Sequence, residues 1–215
     1  MKQLVFLIFL FISFNTFSST FVKGKIIFKD GQIKEGMIKL LNSSINEGIA
    51  FKKGEHSSET IDVEKIQALI YYVGGQEHMF EYIRDYRMGA HQVEKNLRRP
   101  TWQYVVAKGG VTLYLDGISD LSVKDDKLVM TFAETQYYRV MKKDEAGATT
   151  IAMYYSSSDS MDIHSKTYTK RYFIDYPELV AKVEKEKITW KDFPALVELY
   201  NKWKEEELIN NTSQN

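Results

Sequence analysis

The sequence predicts an α+β protein, mainly antiparallel β. Its hairpins build sheets or small barrel-like β domains, and a C-terminal αα-hairpin follows. Three observations predict this. Asp-Gly, Gly-Gly and Asp-Asp pairs recur between apolar runs from Phe21 to Tyr155. Tyr is abundant, at 14 against 12 Phe and 3 Trp, and falls largely on those runs; a Tyr ring suits a half-exposed strand face. After Tyr155 the apolar spacing widens from two residues to between three and four.

The chain opens with an address. Lys2 precedes an unbroken apolar run, Leu4 to Ile12, and small or polar residues follow at Ser13, Asn15, Thr16, Ser18 and Ser19. This is the layout of a secretory signal peptide over residues 1–18, cut after Ser18 or after Ser19. The run is shorter than the roughly 20 residues a membrane span needs, and no Cys follows to carry a lipid. Export to the periplasm, cell surface or medium is expected, with no transmembrane span after the leader is removed.

Residues 19–95 read as a first β region. Phe21–Lys29 and Gln32–Leu41 flank Asp30-Gly31, a type I′ signal that would set Phe28 opposite Ile33. Ile38 and Leu40 then fall out of phase with Ile33, so a β-bulge is expected near Gly36. Ile66–Val73 and Gln76–Ile83 flank Gly74-Gly75. The first of these is apolar on both faces and should lie centrally. Asp85–Pro100 is polar and marks a boundary, with Lys95, Arg98 and Arg99 a small basic cluster read as a solvated linker or a contact to an anionic partner.

Residues 96–160 read as a second β region. Trp102–Ala107 returns through Lys108-Gly109-Gly110 to Val111–Leu115. Leu121–Lys124 and Lys127–Phe132 pair across Asp125-Asp126, with Val123 facing Leu128 and Leu121 facing Met130. Gln136–Lys142 and Thr150–Tyr155 are further strands around a flexible KDEAGAT turn. Ser156–Ser160 is a loop by composition.

Residues 161–208 read as helical. Ser165–Phe173 is a short helix or a last strand. Asp175, Pro177 and Glu178 read as N-cap, first turn and N3 of the next helix, with Leu179, Val180 and Val183 on one face. Thr189 to Asp192 opens another, whose stripe is Phe193, Leu196, Val197, Tyr200 and Trp203. Residues 209–215 should fray. The stripe must be covered, and intramolecular cover by the β region is expected.

Composition excludes several functions. With 29 basic and 29 acidic residues the chain is no electrostatic nucleic-acid binder. Zero Cys excludes disulfides, thiolate metal sites and Cys nucleophiles. His56, His78, His91 and His164 show no metal-ligand spacing, no G-x-S-x-G elbow occurs, and neither Gly-Gly pair opens a helix to cradle phosphate. Asp125-Asp126 reads as turn chemistry. Asp116 and Asp120 do not complete a calcium loop. No catalytic residue, metal ligand or cofactor is named.

The adjacent tyrosine pairs 71/72, 137/138 and 154/155 must point to opposite faces. One member of each packs in a core. The others, Tyr72, Tyr138 and Tyr155, together with Tyr104 make a possible aromatic face for a glycan or peptide. Ser160, in Asp159-Ser160-Met161, is a possible O-glycosylation acceptor resembling the Asp-Ser/Thr-apolar sites of Bacteroidota.

The segments GKIIFKDGQIKEGMI, IDVEKIQALIYY, GGVTLYLDG and the C-terminal helical stretch together resemble a group of uncharacterised exported proteins of Bacteroidota. The matching positions are Gly24, Ile26, Asp30, Gly31, Gly36, Ile38, Gly110, Leu113, Tyr114, Tyr200 and Asn201. The resemblance implies a cell-envelope location and supplies no catalytic residues. A non-catalytic binding or structural module is expected, its partner an envelope protein or glycan. The alternative is an envelope hydrolase acting on glycan or peptide.

Overall fold

A computed structural model describes residues 20–42, 48–54, 57–88 and 93–212. The expected leader, with Ser18 and Ser19, lies outside the described residues, as do His56 and His91. Thirteen strands are described: β1 Phe21–Phe28, β2 Ile33–Lys39, β3 Gly48–Gly54, β4 Ser57–Asp62, β5 Ile66–Val73, β6 Gln76–Ile83, β7 Tyr86–Met88, β8 Val93–Leu97, β9 Thr101–Ala107, β10 Val111–Lys124, β11 Lys127–Lys142, β12 Thr149–Tyr155 and β13 Ser160–Met161. Three α-helices follow, α1 Ser165–Tyr172, α2 Pro177–Lys185 and α3 Phe193–Thr212. The protein is thus mainly antiparallel β with a C-terminal helical region.

The first hairpin closes differently from its sequence signal. Ile27, not Phe28, faces Ile33, and the β1–β2 register then runs unbroken through Gly24 opposite Gly36. Gly31 has φ +85° whereas Asp30 does not enter the left-handed region. Gly31 N–H donates to the Phe28 carbonyl at 3.0 Å, and Phe28 N–H to the Gln32 carbonyl at 2.9 Å. The extra residue thus sits in the turn, and no bulge is needed at Gly36. Val22 comes opposite Ile38, both buried. Where both turn residues have positive φ, the type I′ reading holds: Gly74-Gly75 between β5 and β6, and Asp125-Asp126 between β10 and β11. Val123 does face Leu128, and Leu121 faces Met130.

Eleven strands form one sheet in the order β13-β12-β11-β10-β9-β6-β5-β1-β2-β3-β4, while β7 and β8 pair apart from it. The sheet runs straight through the expected boundary at 95/96, because β6 pairs with β9 and Phe80 faces Tyr104. The sheet also coils. In a flat sheet β4 and β5 would lie about 19 Å apart, four inter-strand spacings. Only the 3-10 turn Val63–Lys65 joins them, an advance of roughly 6 Å. The β5-β1-β2-β3-β4 segment therefore wraps round Ile26, Ile38, Phe51, Ile61 and Leu69, one buried cluster. It does not close, since β4 and β5 are not neighbours in the sheet.

β10 and β11 are long strands that the sequence reading divides in two. At Gly117 their register shifts. Gly117 has φ +95° and a Cβ there would meet the Thr135 carbonyl oxygen at 2.5 Å. Only Gly fits both demands. Beyond this point the hairpin tip packs Ile118, Leu121, Leu128 and Met130 onto the first cluster.

Successive cross-strand partners Ile26, Leu69, Phe80, Tyr104, Leu115, Tyr138 and Ala152 line one face of the sheet. One end of that row lies in the coiled cluster. The other lies in a second cluster with Phe173, Leu179, Phe193, Leu196, Val197 and Tyr200 from the helical region. The α3 stripe is thus covered by the chain's own sheet, with Trp203 half-buried and stacked on Tyr176 at 4.5 Å. The Thr189–Asp192 capping box forms. The Asp175 cap does not: Tyr176 is the N-cap of α2, and the Asp175 carboxylate accepts from Tyr200 OH at 2.7 Å. Helix α3 continues to Thr212, so residues 209–212 are helical against the expected fraying, and residues 213–215 of that expected tail lie outside the described residues.

Helix α1 packs along β12, beside the two-residue edge strand β13. Met153 N–H donates to Ser165 Oγ at 3.3 Å, and the Thr169 hydroxyl hydrogen is shared between the Ser165 carbonyl at 2.8 Å and the Ile151 carbonyl at 3.3 Å. Both hydroxyl residues are buried. The KDEAGAT segment is anchored at its end: Lys143, Asp144 and Ala146 are exposed, but Ala148 is buried and exchanges backbone bonds with Arg84 and Tyr86.

Candidate functional site

The face opposite the apolar row is polar and largely buried. Glu81 pairs with Gln103 across β6–β9, and Tyr114, Arg139 and Thr150 are successive partners across β10, β11 and β12. All five are buried. Tyr114 OH donates to Glu81 Oε2 at 2.7 Å, and Lys108 Nζ donates to Glu81 Oε1 at 2.7 Å. Arg139 Nε donates to Thr150 Oγ1 at 3.2 Å; its terminal nitrogens reach Asp116 and Asp85. Arg98, from the polar boundary segment, donates to Asp85 Oδ2 at 2.8 Å. Three cations thus meet three carboxylates. Burial, then the Glu81 carboxylate, pushes the Tyr114 phenol far up, so it stays protonated as a donor. This stripe is a fully compensated clamp. Within it Gln103 Oε1 and, across the sheet, Trp102 Nε1 are buried without partners.

A cleft opens where the clamp reaches the helical side. It is lined by Glu145, Thr149, Thr150, Tyr168, Arg171 and Tyr172, with a volume of about 190 Å³. Thr150 is the buried floor, the two tyrosines and Glu145 are half-buried walls, and Arg171 stands exposed at the rim. Local sequence builds this arrangement. Tyr168 and Tyr172 lie four residues apart on α1 and so share a face. Glu145 is fixed by the turn before β12, its Oε2 accepting from Lys142 N–H at 2.7 Å and from Tyr172 OH at 2.6 Å. Burial, then this carboxylate, pushes the Tyr172 phenol strongly up.

The aromatic face expected from Tyr72, Tyr104, Tyr138 and Tyr155 is not assembled. Tyr104 and Tyr138 share the apolar face, where Tyr104 meets Phe80 and Tyr138 is buried against Trp190 at 4.0 Å. Tyr72 and Tyr155 lie on the opposite face, on β5 and β12, five strand spacings apart. Lys25 sits over the Tyr72 ring at 5.7 Å. Ser160 is exposed on β13, its Oγ 2.6 Å from Ser158 Oγ. His78 Nδ1 lies 3.4 Å from Tyr104 OH and His164 packs on Tyr168. Among the described residues no three of His, Asp and Glu converge as a metal-ligand set, and no helix is long and apolar enough to cross a membrane. The sequence reading missed the clamp and the cleft. The available signal was a charge inside an apolar strand, as in Tyr138-Arg139-Val140 and Phe80-Glu81-Tyr82.

Compared with protein-family models, curated proteins and solved structures, the chain matches none.

Proposed function

We propose that the protein is a non-catalytic binding module exported to the cell envelope, with the α1 cleft as its ligand site. The observation that carries the reading is the pairing of the clamp's charges with one another. A general base or nucleophile must be held ready for substrate, and the buried carboxylates here are already engaged. In the cleft, polar and aromatic side chains face open space. Export is supported by the leader-like pattern of residues 1–18, and kinship with the exported Bacteroidota group by the motifs quoted above.

Two measurements test this. Native-host protein in the envelope or medium should begin at Ser19 or Thr20; a chain retaining Met1 in the cytosol overturns export. Purified protein mixed with envelope glycan and peptide extracts should retain material without releasing new reducing ends or amines. Release would favour the hydrolase instead.

A further inference from the structure

We infer that the outer face of β1, β2 and β3 seats the protein on an anionic lipid surface. This face belongs to the coiled part of the sheet, well away from β12 and its cleft. Val22, Ile26, Ile38 and Phe51 point into the first cluster, so their neighbours along each strand point outward. There Lys23, Lys25, Lys39 and Lys52 bring four cations against one carboxylate, Glu35. Lys25 reaches Glu77 of β6 at 3.5 Å, and Asp62 stands at the end of β4. Among the described residues no carboxylate pairs with Lys23, Lys39 or Lys52.

Apolar side chains stand among these cations. Ile33 is 60% exposed and Met37 39%. Met37 sits between Lys23 and Lys52 across the ladder, and Lys52 Nζ lies 4.1 Å from the Phe21 ring centroid. The mixture selects the partner. A soluble polyanion would answer the lysines and leave Ile33 and Met37 in water. An apolar protein surface would cover the side chains but strip water from unpaired ammonium groups. A lipid surface does both: headgroup phosphates meet the ammonium groups, while Ile33 and Met37 enter the boundary beneath them.

Protein purified from its native host should float with vesicles of phosphatidylcholine carrying about 30% phosphatidylglycerol, and raised salt should release most of it. Lys23→Gln and Lys39→Gln should each weaken binding about fivefold, one ammonium group's share at a charged surface. Ile33→Ser should weaken it about tenfold. Glu35→Gln should strengthen it about fivefold, a gain that a folding defect cannot produce. Lys187→Gln, in the helical region, and Tyr168→Ala, in the cleft, should bind like the parent. Absence of binding overturns the inference, as does binding that ignores the substitutions on this face or falls equally in Lys187→Gln. Retention on dextran sulfate without retention on the vesicles overturns the lipid class and makes the face a site for soluble polyanions.

Discussion

At the residue scale, the Tyr200-Asn201 pair shows how sequence motifs distant in the chain meet. Asn201 is buried; its Oδ1 accepts from Val111 N–H at 2.7 Å and its Nδ2 donates to the Val111 carbonyl at 2.9 Å. A Cβ at Gly109 would lie 2.5 Å from Asn201 Cγ, so the Gly-Gly turn is what lets the side chain reach the backbone. We expect Asn201→Ala to cost roughly 2–3 kcal/mol, because both Val111 groups lose their partner; urea midpoints measure it. Gln103→Met should act in the other direction. It removes an orphaned buried carbonyl at nearly equal volume, a gain of about 1 kcal/mol in the same measurement. Asn201 and Gly110 were visible in the sequence as motif positions, but their contact was not, since 90 residues separate Asn201 from Val111.

At the scale of elements, α3 and the Gly117 bend carry the predictions. Truncation after Ile188 strips Phe193, Leu196, Val197 and Tyr200 from the second cluster. The truncated chain should melt well below the full one, with β9–β12 amides losing hydrogen-exchange protection first; equal melting would mean the stripe is not the sheet's cover. Asp175 joins α3 to the segment before α2. Burial raises its carboxyl, but the Tyr200 hydroxyl with Lys142 and Lys204 outweighs this and holds it below its ordinary value. A depressed carboxyl stabilises the fold above the unfolded value near 4, and that contribution is lost as pH falls below it. Asp175→Asn should therefore flatten the acid limb of the stability curve. The start of α3 was legible because its capping box and period agree, and α2 was legible from Pro177 and its apolar face although the Asp175 cap does not form. The hairpin at Asp30-Gly31 was misread by one residue, because Asp-Gly also serves a three-residue loop with Gly at the left-handed position. Strands β3 and β4 were missed because SSETID lacks an apolar pattern of its own and is placed by β3.

At the scale of the whole molecule, four tyrosines are held back from ionisation. Burial pushes the phenols of Tyr71, Tyr114, Tyr172 and Tyr200 strongly up. A raised group contributes stability that is complete below the unfolded value near 10 and is lost as pH rises above it. The phenolate absorbance of these four should therefore appear only with cooperative unfolding. A single smooth titration without unfolding would contradict the burial. The fold class was readable because turn pairs and period changes are local signals. The coil, the bend and the clamp were not, because each depends on which strands become neighbours, and that is set by long-range pairing such as β1 with β5.

The two edges of the eleven-stranded sheet are unequal, and this bears on self-association. An unpaired strand edge is a template for another chain. On one side the last strand is β13, only two residues long, and beside it Ser165 and Thr169 of α1 meet the backbone of β12, so that template is short. On the other side β4 pairs only with β3, and Ser58, Glu59 and Thr60 stand exposed along it. Edge-to-edge joining of copies is therefore favoured at β4 against β4 across a two-fold axis, because β13 offers a further copy only two residues of edge. The architecture favours a pair over a fibre.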